Sequence, residues 1–263
     1  MNRKMLFFDI DGTIVAEGTE YLPKSTVKAI RRARENGHLA FINTGRTLFS
    51  IDDFLKEIGF DGYVCGCGTA IYVGEETIFK HTLTREYCRE IIEMLRACNI
   101  TAVFEEENHV FFDEELPSHE VLHDLRARFG TKGFDIPKSL DEGNILFDKF
   151  VIWVSTVSDF KTFYRYISEQ FDCIDRGAGM YEMVPKGISK ASGIQKLMDY
   201  YGIPLEDCYA FGDSTNDLPM LQFVPNSVAM GNSMKEILPY CAYQTADLEE
   251  NGIEKALKHY GII

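Results

Sequence analysis

The spacing of apolar and polar positions divides this chain into three stretches. Met5–Phe8 is an unbroken apolar run between Lys4 and Asp9, the pattern of a buried strand. Pro23 suits a helix start, and the helix it opens is expected to run to about Asn36, where Gly37 stops it. His38–Asn43 reads as a second strand, Thr47–Ile58 as a helix closed by Gly59, and Tyr63–Gly66 as a third strand. Thr69–Val73 and Thr77–Lys80 flank Gly74-Glu75-Glu76 and predict a hairpin.

From Leu83 to Val184 the rhythm changes. Helices are expected over 84–98, 118–128 and 159–169, and strands over 100–105, 109–112, 147–154, 171–175 and 180–184. A loop rich in Gly, Asp and Pro fills 130–144. Adjoining strands point to a mainly antiparallel sheet with helices on one face. After Pro185-Lys186-Gly187 the alternation of helix and strand resumes, with a helix over 190–201 and a strand over 207–211 that ends in Gly212-Asp213. The fold class that follows is α/β. Residues 1–82 and 186–263 form one doubly wound, parallel, Rossmann-like sheet, and 83–185 form an inserted α+β domain.

Composition narrows the functions open to such a fold. A chain of 263 residues, 45% hydrophobic and 26% charged, is ordinary for a globular protein with a sizeable core. Its net charge of -14 makes it a poor general binder of nucleic acid or anionic membrane. Any anionic substrate must be met locally, by a metal, backbone N–H groups or a placed cation. The seven cysteines are odd in number and scattered, so no disulfide framework is expected, which fits a reducing cytoplasm. The first apolar run is too short for a signal peptide or a membrane span, and no long apolar segment follows.

Four short segments fall where open α/β sheets hold ligands, at the carboxyl ends of strands. The first is Asp9-Ile10-Asp11-Gly12-Thr13. In an extended chain residues two apart face the same side, so Asp9 and Asp11 are expected to converge. Such a pair calls for a cation, a shared proton or a division of labour. The second is Asn43-Thr44-Gly45-Arg46, where a hydroxyl and free N–H groups at a helix start suit an anion. Arg46, directly after that turn, is a candidate substrate contact. The third is Lys190, a point charge for a phosphate or a crowded carboxylate. The fourth, Gly212-Asp213-Ser214-Thr215-Asn216-Asp217, adds carboxylates that suit a Mg²⁺ site sharing a substrate phosphate. Asp-x-Asp-Gly alone also fits a Ca²⁺ loop, but the ligand spacing of such a loop does not continue. His119 and His123, four apart, have no third ligand in view and read as a solvated face. Glu105-Glu106-Glu107 and Glu249-Glu250 read as exposed charge. Trp153 reads as core of the inserted domain.

In type and order these segments resemble the motifs of the haloacid dehalogenase superfamily of phosphotransferases. The insert between the second and third motifs looks like the large α/β cap (type IIB) of its Cof-type phosphatases. The resemblance implies Asp9 as nucleophile and Asp11 as acid and base. It implies Ile10, Thr44, Gly45, Lys190 and Asn216 as phosphate holders, with Thr44 and Lys190 supporting catalysis. Mg²⁺ would lie on Asp9, Asp11 (through its carbonyl oxygen) and Asp213, with Asp217 behind them. The insert would act as a lid that selects the substrate. One segment departs from the pattern: Cys65-Gly66-Cys67-Gly68-Thr69 stands where many relatives carry Asn-Gly-Ala, so any substrate contact from that Asn is lost, and a structural role is expected for Cys65 and Cys67. The function implied is a Mg²⁺-dependent phosphatase of small phosphorylated metabolites, sugar phosphates among them, acting through an aspartyl-phosphate. A phosphomutase and a non-catalytic phospho-ligand sensor are the alternatives.

Overall fold

The structure, a computed structural model, describes residues 2–107, 109–113, 115, 122, 124–127 and 145–263. The chain divides into two compact units. One comprises Met1–Arg46, Ser50–Lys80 and Ile188–Ile263; the other comprises Thr47–Phe49 and His81–Gly187.

The first unit is built around β1 (Met5–Phe8), all four residues of which are buried. Neighbouring side chains on a strand point to opposite faces. Phe7 stacks on Phe41 at 5.2 Å, while Phe8 stacks on Phe211 at 4.6 Å, so both faces of β1 are covered. Beside it lie β2 (Leu39–Asn43) and β3 (Gly62–Cys65), followed by the hairpin β4 (Ala70–Val73) and β5 (Glu76–Lys80). On the other side lie β11 (Cys208–Gly212), β12 (Asn226–Ala229) and β13 (Tyr243–Gln244). The sheet order is β13-β12-β11-β1-β2-β3-β4-β5. It is parallel from β13 to β3 and antiparallel only at the hairpin. The chain leaves β1 toward β2 and β3, then returns to lay β11 on the opposite edge of β1. That reversal opens a crevice at the carboxyl ends of β1 and β11.

Helices follow the expected signals where local chemistry decides them. Lys24–Glu35 buries Thr26, Ala29, Ile30 and Ala33, one stripe at helical spacing. Lys190–Tyr201 is opened by a Ser189/Ser192 capping box and closed by Gly202 at φ 65°. The helix expected over 47–58 is broken. Only a 3-10 turn at Leu48–Ser50 and one α turn at Asp53–Lys56 form. Asp52 stands between them with extended backbone and no capping bond, because its carboxylate is drawn to Arg46 at 2.9 Å.

The second unit carries β6 (Thr101–Glu105), β7 (Val110–Phe112), β8 (Lys149–Trp153), β9 (Phe171–Asp175) and β10 (Met180–Pro185). They form an antiparallel sheet in the order β7-β6-β8-β10-β9. The helices Arg85–Ala97 and Phe160–Ile167 start at Thr84 and Asp159, whose side chains accept the N–H groups of Tyr87 and Thr162. Ile91, Leu95, Phe163 and Ile167 pack with Phe104, Phe150 and Ile152 of the sheet. Val103, Val151 and Trp153 belong to a second cluster with Phe112.

Glu105 departs from its expected exposure. The β6–β8 register sets it opposite Lys149, which is buried, pairs with Glu182 and lies 3.7 Å from Glu105. Glu249 and Glu250 are exposed. Of the helix expected over 118–128, residues 122 and 124–127 are described and helical; His119, His123 and the loop at 130–144 lie outside the described residues. No helix among the described residues is long and apolar enough to cross a membrane.

Candidate active site

The crevice is lined from the strand ends. Past the end of β1, the Asp9 N–H still donates to the Phe211 carbonyl at 3.0 Å, and then the chain turns. The Ile10 carbonyl accepts from the N–H groups of Thr13, Ile14 and Val15. Gly12 makes the turn at φ 81°, and a Cβ there would lie 2.2 Å from Asp213 Oδ2. The glycine is therefore required twice, for its dihedral and for the space that the Asp213 carboxylate fills. From β11, Gly212 leads into Asp213 and a 3-10 turn over Thr215–Asp217. A Cβ on Gly212 would meet Asp217 Cγ at 2.6 Å.

These turns assemble a buried charge cluster. Lys190 Nζ donates to Asp9 Oδ1 at 2.7 Å and to Asp217 Oδ1 at 2.5 Å. Asp217 Oδ2 accepts from the N–H groups of Asp213 and Ser214 at 2.9 and 3.1 Å. Asp213 Oδ1 accepts from the Thr13 hydroxyl at 2.9 Å. Asp9, Lys190, Asp213 and Asp217 are all buried. Burial pushes the Asp9 carboxyl well up; Lys190 opposes the shift, and Asp217, Asp213 and Asp11 add to it. Burial and Asp217 push Asp213 up to about 7. Burial works against the charge on Lys190, but Asp217 and Asp9 outweigh it, and its pKa is raised.

Three carboxylates thus face one ammonium, and the excess negative charge sits where water is largely excluded. Oxygens of Asp9, Asp213 and Asp217 lie within 4.8 Å of one another. An all-oxygen, carboxylate-rich set of this kind fits a hard divalent cation such as Mg²⁺. Both Asp217 oxygens are already held by Lys190 and backbone N–H groups, which leaves Asp9 and Asp213 as the carboxylates with room for an ion.

Asp9 and Asp11 are served by different cations. The strand ends at Phe8, so the two-residue alternation of an extended chain does not govern Asp11 beyond it. Arg46 Nε donates to Asp11 Oδ2 at 2.9 Å and Nη2 donates to Oδ1 at 2.6 Å. Arg46 Nη1 donates to Asp52 Oδ2 and to the Ser50 carbonyl. Arg46, read from sequence as a substrate contact, is held here by two carboxylates.

The remaining residues named from sequence lie around this cluster or brace it. Ile10 is buried and Gly45 half-buried. The Thr44 hydroxyl accepts the Arg46 N–H at 3.1 Å. Asn216 Oδ1 accepts from the Ser214 hydroxyl at 2.7 Å, so its NH₂ end holds the donors. Cys65 and Cys67 are buried and form no disulfide. Cys67 sits at φ 56° and its N–H donates to the Thr44 carbonyl. Gly68 turns at φ 104°, and a Cβ there would lie 2.4 Å from the Ser189 carbonyl oxygen.

Two asparagines brace the turns, and of these Asn232 lies outside the four segments marked by sequence. Asn232 Nδ2 donates to the Gly12 carbonyl at 2.8 Å, and its Oδ1 accepts the Leu248 N–H at 3.1 Å. Asn43 Nδ2 donates to the Lys190 carbonyl at 3.0 Å. The available signal was positional: Gly231-Asn232 lies just past the end of β12, at the same edge of the sheet as the four motifs.

Known proteins share both the sequence pattern and this fold. The profile of haloacid dehalogenase-like hydrolases matches residues 6–257. YkrA of Bacillus subtilis (strain 168) is 29% identical over the full length of both chains. The 5-amino-6-(5-phospho-D-ribitylamino)uracil phosphatase YitU of the same organism is 27% identical, with 97% of each chain covered. Among solved structures, the HAD subclass IIB sugar phosphatase BT4131 superposes with a TM-score of 0.83 at 29% identity, covering 99% of this chain and 100% of its own. The chain belongs to the haloacid dehalogenase-like hydrolases, and within them it is a phosphoric monoester hydrolase.

Proposed function

We propose that this chain is a Mg²⁺-dependent phosphatase of small phosphorylated metabolites, with sugar and polyol phosphates as the preferred class, acting through an aspartyl-phosphate on Asp9. The observation that carries this reading is the buried Asp9 carboxylate, pinned at one oxygen by Lys190 and set beside Asp213 in a cluster with excess negative charge. One oxygen tied to an ammonium leaves the other to attack phosphorus. As the Asp9–phosphorus bond forms, the bond from phosphorus to the ester oxygen breaks, and Asp11 gives that oxygen a proton. In the second step Asp11 takes a proton from water, the water oxygen bonds to phosphorus, and the Asp9–phosphorus bond breaks. Inorganic phosphate leaves and both carboxyl groups return to their starting states. Lys190, the Thr44 hydroxyl, the Asn216 NH₂ and the backbone N–H groups of Ile10 and Gly45 hold the phosphate oxygens.

The carboxylates of Asp9 and Asp213 and the carbonyl of Asp11 would hold Mg²⁺, with Asp217 orienting Lys190 from behind. Bound there, the cation offsets the repulsion between Asp9 and the incoming phosphate. Residues 1–82 and 186–263 are assigned as the catalytic core, and 83–185 as the cap that selects the substrate. The sugar-phosphate preference is supported by the polyol phosphate in the name of YitU and by the sugar phosphatase BT4131.

The test is phosphate release from a panel of phosphorylated metabolites with and without Mg²⁺. Asp9→Asn is expected to abolish turnover while Mg²⁺ still raises the melting temperature. Full Mg²⁺-dependent turnover by Asp9→Asn would overturn the nucleophile assignment. Conversion of a hexose phosphate to its isomer without net phosphate release would favour a phosphomutase.

A further inference from the structure

We infer that Arg46 is the positioning residue of Asp11: it fixes the direction of the carboxyl group that exchanges protons with the leaving oxygen and with water. The inference rests on the proposed acid and base role of Asp11.

A guanidinium has five N–H donors in a fixed plane. In Arg46, Nε and Nη2 meet the two oxygens of Asp11 side by side, the forked arrangement that constrains orientation as well as distance. Nη1 is tied to Asp52 Oδ2 at 2.9 Å and to the Ser50 carbonyl at 3.2 Å. The backbone is tied as well, since the Arg46 N–H donates to the Thr44 hydroxyl and its carbonyl accepts the Gly66 N–H at 2.8 Å. The arginine is therefore anchored at both ends before it reaches Asp11, and its side chain is only 19% exposed. An arginine with at least four donor contacts to its own protein is poorly placed to receive a phosphate.

Asp11 is the opposite kind of group. It stands on the turn after β1, and its side chain is 40% exposed, so its far side is open. A half-exposed carboxylate on a turn samples several rotamers unless something holds it. A proton donor must lie within hydrogen-bond reach of the leaving oxygen, and misplacement by about 1 Å can cost about 100-fold in rate. The chain Asp52–Arg46–Asp11 supplies that restraint, and it explains why Asp52 interrupts the helix expected there.

The leaving group separates a positioning role from phosphate binding. Esters of acidic phenols depart without a proton, whereas alkyl phosphates need one. The experiment compares kcat/KM for p-nitrophenyl phosphate and an alkyl phosphate across wild type, Asp11→Asn, Arg46→Lys, Asp52→Asn and the double variant Asp11→Asn/Arg46→Lys, each in Mg²⁺. Inhibition by inorganic phosphate is measured in parallel. Lysine keeps the charge but not the fork.

Arg46→Lys is expected to lose about 10- to 100-fold on the alkyl ester and less than about threefold on the aryl ester, with an unchanged inhibition constant for phosphate. Asp52→Asn keeps the fork and weakens one anchor, since its amide oxygen can still accept from Nη1 but without the charge, so it should show the same selectivity at smaller amplitude; it carries the test if Arg46→Lys fails to fold. In the Asp11→Asn background Arg46→Lys should add nothing. Equal losses on both esters, a phosphate inhibition constant raised tenfold or more, or a full additional loss in the double variant would each overturn the inference. If Asp11→Asn itself showed no leaving-group selectivity, the acid and base reading would fail, and this inference with it.

Discussion

Asp213 offers a measurement in which removing a charge strengthens the protein. Its carboxyl is raised from an ordinary 3.8 to about 7 by burial and by Asp217. Without a cation, the folded chain holds this proton across a range in which the unfolded chain has released it. Stability from this group is intact below about pH 4, falls by about 1.4 kcal/mol per pH unit as pH rises, and levels off above about pH 7. A shift of about three units sets a ceiling of ~4 kcal/mol, and local relaxation with water entry reduces it to about 2–4 kcal/mol. Asp213→Asn removes the titration and keeps an oxygen to accept from Thr13. In a chelator at pH 8 the variant should therefore melt ~5–10 °C above wild type. Near pH 4 the two should melt together. Millimolar Mg²⁺ should reverse the order at pH 8, because only wild type offers the ion this carboxylate. Thermal unfolding from pH 4 to 8.5, with chelator and with Mg²⁺, tests the whole argument. A variant less stable than wild type in chelator at pH 8, or a gap that narrows as pH rises, would refute it.

Other perturbations follow from the same geometry. Gly12→Ala brings a Cβ to 2.2 Å from Asp213 Oδ2 at φ 81°; the displaced carboxylate should raise the Mg²⁺ needed for half-maximal turnover at least ~10-fold, and an unchanged Mg²⁺ titration would contradict the fit. Lys149→Met takes the cation from buried Glu182 and half-buried Glu105, at a cost of about 3–5 kcal/mol. Faster amide exchange in β6, β8 and β10 would report that loss, and replacing both glutamates by glutamine as well should recover most of it; unchanged exchange in Lys149→Met would count against the pairing.

The parts of the fold that could be read in advance are those decided within a few residues. Thr84, Asp159 and Ser189 cap their helices through bonds to residues three positions on. The run Met5–Phe8 shows in its composition that both its faces are covered, and the alternating order of elements led to the parallel sheet. The break at Asp52 was hidden because the group that breaks the helix is a guanidinium whose other partner, Asp11, lies 41 residues away in sequence. Glu105 looked like surface charge because its partner Lys149 becomes its neighbour only when β6 and β8 take their register. The same limit applies at the crevice. Strand ends marked where Asp9, Lys190 and Asp213 would meet, but that Asp9 takes Lys190 while Asp11 takes Arg46 depends on a turn of a few residues after β1. Asn232 stands at the ligand-holding edge of the sheet by position alone, and its use as a brace shows only in its bonds to the Gly12 carbonyl and the Leu248 N–H.

The order of strands in the main sheet also bears on the birth of the protein. β1 lies between β2 and β11, yet Asp9 is made 204 residues before Asp213. At ordinary ribosomal speeds of about 5–20 residues per second, roughly 10–40 seconds pass between them. Throughout that interval one edge of the most buried strand has no β11 to pair with, and its N–H and C=O groups stand ready for any passing strand. The nascent chain is most vulnerable in that window, when the whole inserted unit can be complete while the crevice has only one wall. Catalytic competence would begin only when β11 docks against β1 and brings Asp213 to Asp9.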